Sequence, residues 1–373
     1  MKLLFAGFFI APIALSAQTK ATVSIHNASS LERKESVTEV SWKSIVASYP
    51  GIDTANFVVI NAATKQQVPF QLEHKGEKEI QNLLIQVSLK PKSTSSFIVQ
   101  KGKPAVFPAK TFARYVPERK DDFAWENDII AFRAYGKALE GTNENAYGLD
   151  VWVKRTDKLV LNERYKRGEY HVDHGDGMDY YHVGNTLGAG GMAPFVKDSV
   201  RYSANYHQYK VLDNGPLRSS FQLMYDTWDA AGIKVKAVKT ISLDAGSQLN
   251  KIANVFIYEN DKPLPVVAGI IRRPENGNIL LNERQGIMGY WEPQHGEDGI
   301  TGVGTILLTP VKRMSVNKEQ LLAETTAENN KPVTYYAGAA WNKAGKITNE
   351  KQWFSYLETF SQELKEPLTV EVK

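Results

Sequence analysis

The chain of 373 residues contains no cysteine. It therefore forms no disulfide bond, carries no lipid on a cysteine, and offers no thiolate ligand for zinc. It also lacks the G-x-S-x-G segment of α/β-hydrolases and the H-E-x-x-H motif of zinc proteases. These absences leave acid–base chemistry by histidine, tyrosine and carboxyl groups as the main catalytic option.

Clustered charge is missing as well. The 45 Lys and Arg residues exceed the 41 Asp and Glu residues by four, and they are scattered along the chain. Because nucleic-acid-binding proteins gather their cations in a patch or stripe, we expect no nucleic-acid partner. The mild positive balance suits an acidic small substrate.

Long apolar runs are absent except at the start of the chain. A lysine precedes an apolar run from Leu3 to Leu15, and the small residues Ser16 and Ala17 follow it. This order is typical of a secretory signal, and the run is shorter than the ~20 residues that span a membrane. We predict a signal peptide over residues 1–17, a periplasmic or secreted protein, and no membrane span.

The remaining sequence is mostly β-forming. Short runs rich in β-branched residues recur roughly every ten residues, which predicts a small β-sandwich over residues 18–105. KGKPAVFPAK then resembles a linker. Longer alternating runs predict a large antiparallel sandwich over residues 106–373. One of them, VRYSANYHQYKVL, would place Tyr206 and His207 on opposite faces of a strand.

Only one helix is predicted, near the end of the chain. NEKQWFSYLETFSQELK places aromatic and leucine side chains along one stripe, which is typical of an amphipathic helix. Asn349 is its predicted N-cap, with Gln352 three residues later. The predicted fold class is therefore all-β, with a small N-terminal β-sandwich, a large antiparallel sandwich and one C-terminal helix.

The segment EYHVDHGDGMDYYHVGNT, residues 169–186, concentrates histidine, aspartate and tyrosine. Imidazole and carboxylate ligands suit zinc, manganese or iron, but the spacing matches neither a helical zinc motif nor a calcium loop. Histidine titrates near neutral pH, and glycine lets the backbone approach a ligand closely. We therefore interpret the segment as catalytic, with a metal site and a solvated polar loop as alternatives.

Other polar residues are expected around the same cleft. WENDIIAFRAYG brings an arginine into an apolar strand, GIIRRPENGN places two at a strand end, and GYWEPQHGEDG places a tryptophan in a loop. An arginine in such surroundings is either a surface residue or an anion ligand, and a loop tryptophan is either a core residue or a platform for a sugar ring. The candidate substrate-binding residues are Glu126, Asn127, Arg133, Asp176, Arg272, Arg273 and Trp291.

Three segments carry a resemblance to a known family: WENDIIAFRAYG, GLDVWVKR and YHVDHGDGMDYYHVGNTLGAGG. They resemble secreted β-rich proteins of long-unknown function, typically encoded beside polysaccharide lyases and unsaturated-uronyl hydrolases. The resemblance covers most of the chain and implies a galactose mutarotase-like super-sandwich. It also implies an oligosaccharide dehydratase of ulvan breakdown, which leaves a 4,5-unsaturated uronyl ring.

Such an elimination assigns roles to the candidates. The base that takes the proton from C5 would be His174, His182 or His207, and Tyr181 or its neighbour Tyr180 would protonate the departing hydroxyl. Arginine would neutralise the uronate carboxylate, so no cofactor is required; a divalent metal is the alternative. The competing hypotheses are a lyase acting by β-elimination, a glycoside hydrolase, and a non-catalytic glycan-binding protein.

Overall fold

The computed structural model describes residues 19–373, so the predicted signal peptide lies outside the described residues. Strands dominate and form five sheets in which every strand pair is antiparallel. None of the helices in this range is both long and apolar enough to cross a bilayer. The predicted all-β class is confirmed.

Two sheets form the N-terminal sandwich. The first contains, in spatial order, β24 (Thr369–Val372), β1 (Lys20–Asn27), β6 (Ser93–Lys101) and β3 (Phe57–Asn61). The second contains β2 (Arg33–Ser41), β5 (Asn82–Leu89) and β4 (Phe70–Glu73), and a short helix α1 (Trp42–Ser48) follows β2. The predicted second domain, 106–373, includes β24, yet β24 pairs with β1, so the chain ends where its first strand lies.

Three further sheets follow along the chain. A five-stranded sheet runs in chain order through β7 (Thr111–Val116), β8 (Asp122–Asn127), β9 (Ala131–Ala134), β10 (Asp150–Lys154) and β11 (Gly177–Met178). A four-stranded sheet contains β12 (Ala189–Pro194), β17 (Leu264–Ile271), β22 (Gln320–Ala327) and β21 (Arg313–Val316).

An eight-stranded sheet is the largest. In spatial order it contains β13 (Gln208–Asn214), β14 (Arg218–Asp229), β15 (Lys234–Asp244), β16 (Leu249–Tyr258), β23 (Pro332–Trp341), β20 (Thr301–Leu307), β19 (Ile287–Trp291) and β18 (Asn278–Asn282). One apolar core joins it to the two sheets before it. At its centre Phe123 of β8 meets Phe221 of β14, with ring centroids 4.2 Å apart.

One predicted strand was too long. VRYSANYHQYKVL becomes a strand only from Gln208, because the residues before it are held by contacts outside any ladder. The Tyr206 hydroxyl donates to the Asp121 carbonyl, and the Asn205 amide donates to the Gly136 carbonyl. Tyr206 and His207 therefore do not lie on opposite faces of a strand.

The predicted C-terminal helix is confirmed as α3 (Glu350–Lys365). The Asn349 side chain accepts a hydrogen bond from the Gln352 N–H at 3.1 Å, as its capping position predicts. Trp353 and Leu357 are buried against β19 and β20. Neither α1 nor α2 (Leu161–Arg167) was predicted, because seven residues are too few to show a helical period.

The polar segment 169–186 follows α2 and contributes β11, the edge strand of the five-stranded sheet that pairs with β10. Gly177 has a φ of +101°, and a Cβ there would lie 2.2 Å from the Val153 carbonyl oxygen of β10. Only glycine fits this close approach. The segment is thereby pressed against β10 and brings Asp179 and the residues after it to the sheet.

Candidate active site

The segment borders a cavity of about 1090 Å³. Residues 179–185, the wall segment, line one part of it, and residues 141–147 line another. Arg119, Arg133, Tyr135 and His171 complete the lining. This is the size of a pocket that encloses a small ligand or part of an oligosaccharide.

Arg133 forms the centre of a buried ion cluster at this cavity. Its Nη2 lies 2.5 Å from Asp150 Oδ2 and 3.0 Å from Asp179 Oδ2, and its Nη1 lies 3.7 Å from Asp122 Oδ2. Arg133 and Asp150 face each other across the β9–β10 ladder. We call Arg133, Asp122, Asp150 and Asp179 the Arg133 cluster.

Aromatic rings surround the same guanidinium group. Its central carbon lies 5.0 Å from the ring centre of Tyr135, 5.1 Å from that of Trp152 and 6.0 Å from that of Tyr170. Such rings stabilise a cation that has left water. They also fix the plane of the guanidinium group of Arg133, and with it the direction of its N–H bonds.

Burial shifts two carboxyl groups of the cluster, those of Asp122 and Asp179, toward their neutral forms. Burial, together with the charge of Asp150, raises the pKa of Asp179 to about 8. Burial raises the pKa of Asp122 to about 7, although the charges of Arg133 and Arg119 oppose this. Near neutral pH the two guanidinium groups are therefore not matched by three negative charges.

Several polar atoms of the cavity have no hydrogen-bond partner among residues 19–373. They are Nε and Nη1 of Arg133, Nη1 of Arg119, both carboxyl oxygens of Asp122, and the hydroxyl of Tyr181. A buried donor without an acceptor costs about 1–3 kcal/mol, so such groups in a native fold call for an explanation. A ligand with several acceptor oxygens would explain the unpartnered N–H and O–H groups, because it would accept their hydrogen bonds.

Groups able to move protons lie in the lining. The imidazoles of His171 and His182 are exposed toward it, and His171 Nδ1 lies 2.7 Å from the Asp179 carbonyl oxygen. Tyr181 is buried, and burial raises the pKa of its hydroxyl well above its usual range. Because of this raised pKa, Tyr181 keeps its proton throughout the neutral range. The hydroxyl of the neighbouring Tyr180 forms a hydrogen bond with the Thr301 hydroxyl at 2.6 Å.

The structure brings together three of the predicted site residues: Arg133, Tyr181 and His182 line one cavity. Arg273 stands directly behind them. Its Nη1 donates to the His182 carbonyl oxygen at 2.6 Å, and its guanidinium carbon lies 4.7 Å from the ring centre of Tyr181.

Three predicted residues lie on other surfaces. His174 faces Glu169, with the two side chains 3.7 Å apart. His207 lies between Glu140 at 3.0 Å and Asp226 at 2.8 Å. Arg272 donates to a backbone carbonyl at the end of β21. None of the three lines the cavity.

Two predicted residues of β8 support the fold. The Glu126 carboxylate accepts hydrogen bonds from Lys154 Nζ at 2.7 Å and from the N–H groups of Val160 and Leu161, where α2 begins. The Asn127 amide donates to two backbone carbonyls of the turn that links β15 to β16. These contacts point both side chains away from the cavity lining.

Asp176 and Trp291 are also engaged elsewhere. Asp176 lies 3.5 Å from Arg164 and 3.7 Å from Arg167, at the end of α2. Trp291 is only 4% exposed and packs under α3, so it offers no platform for a sugar. The core interpretation of this tryptophan is the one the structure supports.

Sequence reasoning missed most of the Arg133 cluster. Asp122 precedes the apolar run FAW in β8 and Asp150 precedes VWV in β10, and an acidic residue beside such a run is a signal that a buried cation lies nearby. His171 and Asp179 belonged to the polar segment but were not selected. Arg119, in the turn before β8, gave no signal.

Metal ligands are not grouped in the described part of the chain. No set of three or more His, Asp or Glu side chains between residues 19 and 373 is arranged to hold a metal ion. The carboxyl groups of Asp122, Asp150 and Asp179 come together around the guanidinium group of Arg133.

Comparisons with solved structures extend over nearly the whole chain. It is similar to an α-mannosidase of Enterococcus faecalis V583, with 9% identity, a TM-score of 0.55, and coverage of 95% of this chain and 46% of that one. It is also similar to a glycosyl hydrolase family 38 protein of Enterococcus faecalis, with 10% identity, a TM-score of 0.56, and coverage of 95% and 48%. The chain spans about half the length of these two proteins, and at this identity the likeness is one of fold.

Sequence comparison identifies closer relatives. The chain is 31% identical over 378 residues to "Uncharacterized protein P7" of Formosa agariphila, covering 94% of this chain and 93% of that protein. Residues 25–370 match the family described as "Domain of unknown function (DUF4861)". The chain therefore belongs to the DUF4861 family.

Proposed function

We propose that the protein is a secreted carbohydrate-active enzyme that removes water from the non-reducing terminal uronate of an acidic, ulvan-like oligosaccharide. The observation that carries this proposal is the content of one cavity. Its lining includes Arg133, Arg119 and Tyr181, each with buried polar atoms that lack a hydrogen-bond partner among the described residues, together with the imidazole of His182. Anion recognition and proton transfer are the two requirements of the reaction.

Recognition would come from the guanidinium groups. The free Nε and Nη1 of Arg133 point in different directions, because Nε and Nη2 form the side-on edge of a guanidinium group, so each would donate a separate hydrogen bond to an anionic acceptor. Arg119 adds a further donor at the edge of the lining. Hydrogen bonds to a charged acceptor are worth about 1.5–3 kcal/mol, enough to select an acidic sugar over a neutral one.

The chemistry balances without an oxidant or a cofactor. His182 accepts the proton from C5, the electron pair of the C5–H bond forms the C4=C5 double bond, and the C4–O bond breaks. The Tyr181 hydroxyl gives its proton to the departing oxygen, and water leaves. Arg133 stabilises the charge that develops on the carboxylate, which is usually the largest contribution to such a reaction.

The comparisons support a sugar substrate and go no further. The two similar solved structures reported above are described as an α-mannosidase and as a protein of glycosyl hydrolase family 38. The resemblance of the WENDIIAFRAYG and YHVDHGDGMDYYHVGNTLGAGG segments to proteins encoded beside polysaccharide lyases supports elimination. A divalent metal that neutralises the carboxylate in place of arginine is the alternative within this proposal.

One observation favours hydrolysis as a second candidate. Asp179 and Glu144 line the same cavity, and their carboxyl groups are shifted in opposite directions. Burial raises the pKa of Asp179 to about 8, whereas the hydrogen bond from Lys120 lowers the pKa of Glu144. A protonated and an ionised carboxyl group are the pair that a glycoside hydrolase uses.

The deciding experiment incubates the purified protein with a panel of uronate-terminated oligosaccharides and follows mass and ultraviolet absorbance. The proposal predicts loss of one water without shortening of the chain, together with absorbance from the conjugated double bond. Shorter chains with an unsaturated end would indicate a lyase, and shorter saturated chains would indicate a hydrolase. Saturable binding without any product would identify a glycan-binding protein and contradict the proposal.

A further inference from the structure

Arg273 occupies an unusual position behind the cavity. It follows β17, is not among the lining residues, and reaches the wall segment from its far side. Its Nη1 donates to the carbonyl oxygen of His182 at 2.6 Å, and its guanidinium group lies over the ring of Tyr181 at 4.7 Å. A single side chain therefore contacts both residues to which the proposed reaction assigns proton transfer.

Glu292 fixes Arg273 in turn. Its Oε1 accepts a hydrogen bond from Arg273 Nε at 2.8 Å, and the Glu292 side chain is only 5% exposed. The Arg273 backbone N–H donates to the Tyr290 hydroxyl at 3.3 Å. With Nε and Nη1 both engaged and one face on Tyr181, the guanidinium group has a single orientation.

We propose that Arg273 and Glu292 are positioning residues that hold the His182 and Tyr181 side chains at the cavity. This inference rests on the proposed function for its catalytic consequence. The pair does not touch the substrate. It fixes the backbone at His182 and the ring plane of Tyr181, so that base and acid face the sugar from set directions.

The geometry requires arginine at this position. The two hydrogen bonds leave different nitrogen atoms in different directions, and the planar face packs on a ring. Lysine offers one nitrogen atom and no planar face, so it retains the charge toward Glu292 and loses the rest. A lysine variant therefore separates the charge of residue 273 from its geometry.

The chain contains a matched control in Arg313 and Glu324. Arg313 Nε also donates to a glutamate Oε1 at 2.8 Å, but this pair lies between β21 and β22 with the arginine side chain 58% exposed. Neither residue lines the cavity. Arg313→Gln thus removes a similar hydrogen bond and the same charge without touching the wall segment.

The kinetic test compares Arg273→Lys, Arg273→Gln and Glu292→Gln with Arg313→Gln on a uronate-terminated oligosaccharide. Misplacement of a reacting group by about 1 Å costs about 100-fold, so we expect kcat to fall by about 10- to 100-fold in both Arg273 variants at nearly unchanged KM. Glu292→Gln should fall less, because an amide oxygen still accepts from Nε. A rise in KM at constant kcat would instead make Arg273 a substrate ligand, and full activity of Arg273→Lys would reduce its role to charge.

A second measurement does not depend on the reaction. Amide hydrogen exchange of residues 179–185, followed without substrate, should be faster in Arg273→Gln and Arg273→Lys than in the native protein, and unchanged in Arg313→Gln. Unchanged exchange in both Arg273 variants would overturn the inference even if the enzyme is a dehydratase. Faster exchange in a protein with no activity on any uronate would retain the positioning contact and reject the proposed function.

Discussion

Two arginines in this protein are each surrounded by three carboxyl groups, yet the two clusters differ in state. Arg133 meets Asp122, Asp150 and Asp179 at the cavity. The second, the Arg218 cluster, joins Arg218 to Glu39, Glu73 and Asp244. It connects β14 and β15 of the largest sheet to β2 and β4 of the N-terminal sandwich.

The Arg218 cluster is saturated. Arg218 Nε and Nη2 donate to the two oxygens of Asp244 at 2.5 and 2.9 Å, while Nη1 donates to Glu39 at 2.6 Å and to Glu73 at 2.8 Å. Burial raises the pKa of Glu39, but the charge and hydrogen bond of Arg218 outweigh burial and lower it to about 2. Every carboxyl group there accepts a hydrogen bond from Arg218.

The Arg133 cluster is unsaturated by the same criteria. Nε and Nη1 of Arg133 and both oxygens of Asp122 have no hydrogen-bond partner in the described range. Burial raises the pKa of Asp122 and of Asp179. Guanidinium and carboxyl groups thus form a structural ion cluster at Arg218 and an incompletely hydrogen-bonded cluster at Arg133. The two clusters differ in the number of donors and acceptors that lack a hydrogen-bond partner.

Loss of the Arg133 guanidinium group should give the largest effect on activity. Arg133→Gln removes the donors proposed to bind and stabilise the substrate carboxylate, so we expect kcat/KM to fall by about 10²–10³-fold. The measurement is the initial rate of double-bond formation. Arg218→Gln is the control and should leave kcat/KM of the folded protein unchanged. Equal activity losses in the two variants would remove the distinction between the clusters.

For the free energy of unfolding we expect the reverse order, with a larger loss on replacing Arg218 than on replacing Arg133. Arg218→Ala removes the guanidinium donor that three carboxylates share, although Glu39 and Glu73 keep hydrogen bonds from Asn82, and breaking a buried ion pair costs about 3–5 kcal/mol. Because Glu39 is partly exposed, we expect a value near the lower limit. Denaturant unfolding should show the loss in Arg218→Ala and a smaller one in Arg133→Ala, where Asp122 and Asp179 take up protons. A larger loss in Arg133→Ala would contradict this account.

The segment that carries Asp179 to Arg133 should be sensitive to one glycine. Gly177→Ala adds a Cβ 2.2 Å from the Val153 carbonyl oxygen at a φ of +101°, whereas Gly175→Ala has a φ of +99° and open space. Backbone strain of this kind costs about 1–3 kcal/mol, and both variants carry it. We expect Gly177→Ala to lose more free energy of unfolding and more activity than its neighbour. Equal losses would show that the contact with β10 does not position the segment.

A further effect concerns pH. The folded protein raises the pKa of Asp179 to about 8, above the value of about 4 in an unfolded chain. The folded state then binds this proton more tightly, so the stabilisation is complete below pH ~4 and is lost as the pH rises through about 8.

Asp179→Asn removes this titration. The free energy of unfolding of the native protein, minus that of Asp179→Asn, should therefore decline as pH rises between these two values. A difference that stays constant, or that grows with pH, would show that the fold does not raise the pKa of Asp179. Asp179 would then resemble Glu39 of the Arg218 cluster, whose pKa is lowered.

Much of the fold was accessible from sequence, because strand formation depends on local alternation. The predicted short runs and longer alternating runs include strands such as β5 (NLLIQVSL) and β16 (LNKIANVFIY), and Asn349 caps α3. The strand predicted from VRYSANYHQYKVL failed because tertiary contacts of Asn205 and Tyr206 outweigh local pattern. The short helices α1 and α2 were not predicted, because a helical period is visible only over a longer stretch of sequence.

The candidate site was accessible only in part. The polar segment drew attention to Tyr181 and His182 because unusual residue types are close together in sequence. The Arg133 cluster contains one residue from each of three strands and one from the polar segment, so its members are far apart in sequence. Which of its donors and acceptors find a hydrogen-bond partner depends on the directions of the N–H bonds, which composition does not show. His174 and His207 were selected by type alone, and their neighbours Glu169 and Glu140 engage them elsewhere.

The most direct test of the central claim is a binding measurement on the Tyr181→Phe protein, which retains the cavity and lacks the proposed acid. Calorimetry would compare a uronate-terminated oligosaccharide with the same compound methyl-esterified at the terminal carboxyl. If the free donors of Arg133 receive a carboxylate, the ester should bind at least about tenfold more weakly, the equivalent of one charged hydrogen bond. Equal affinity for the acid and the ester would contradict the account.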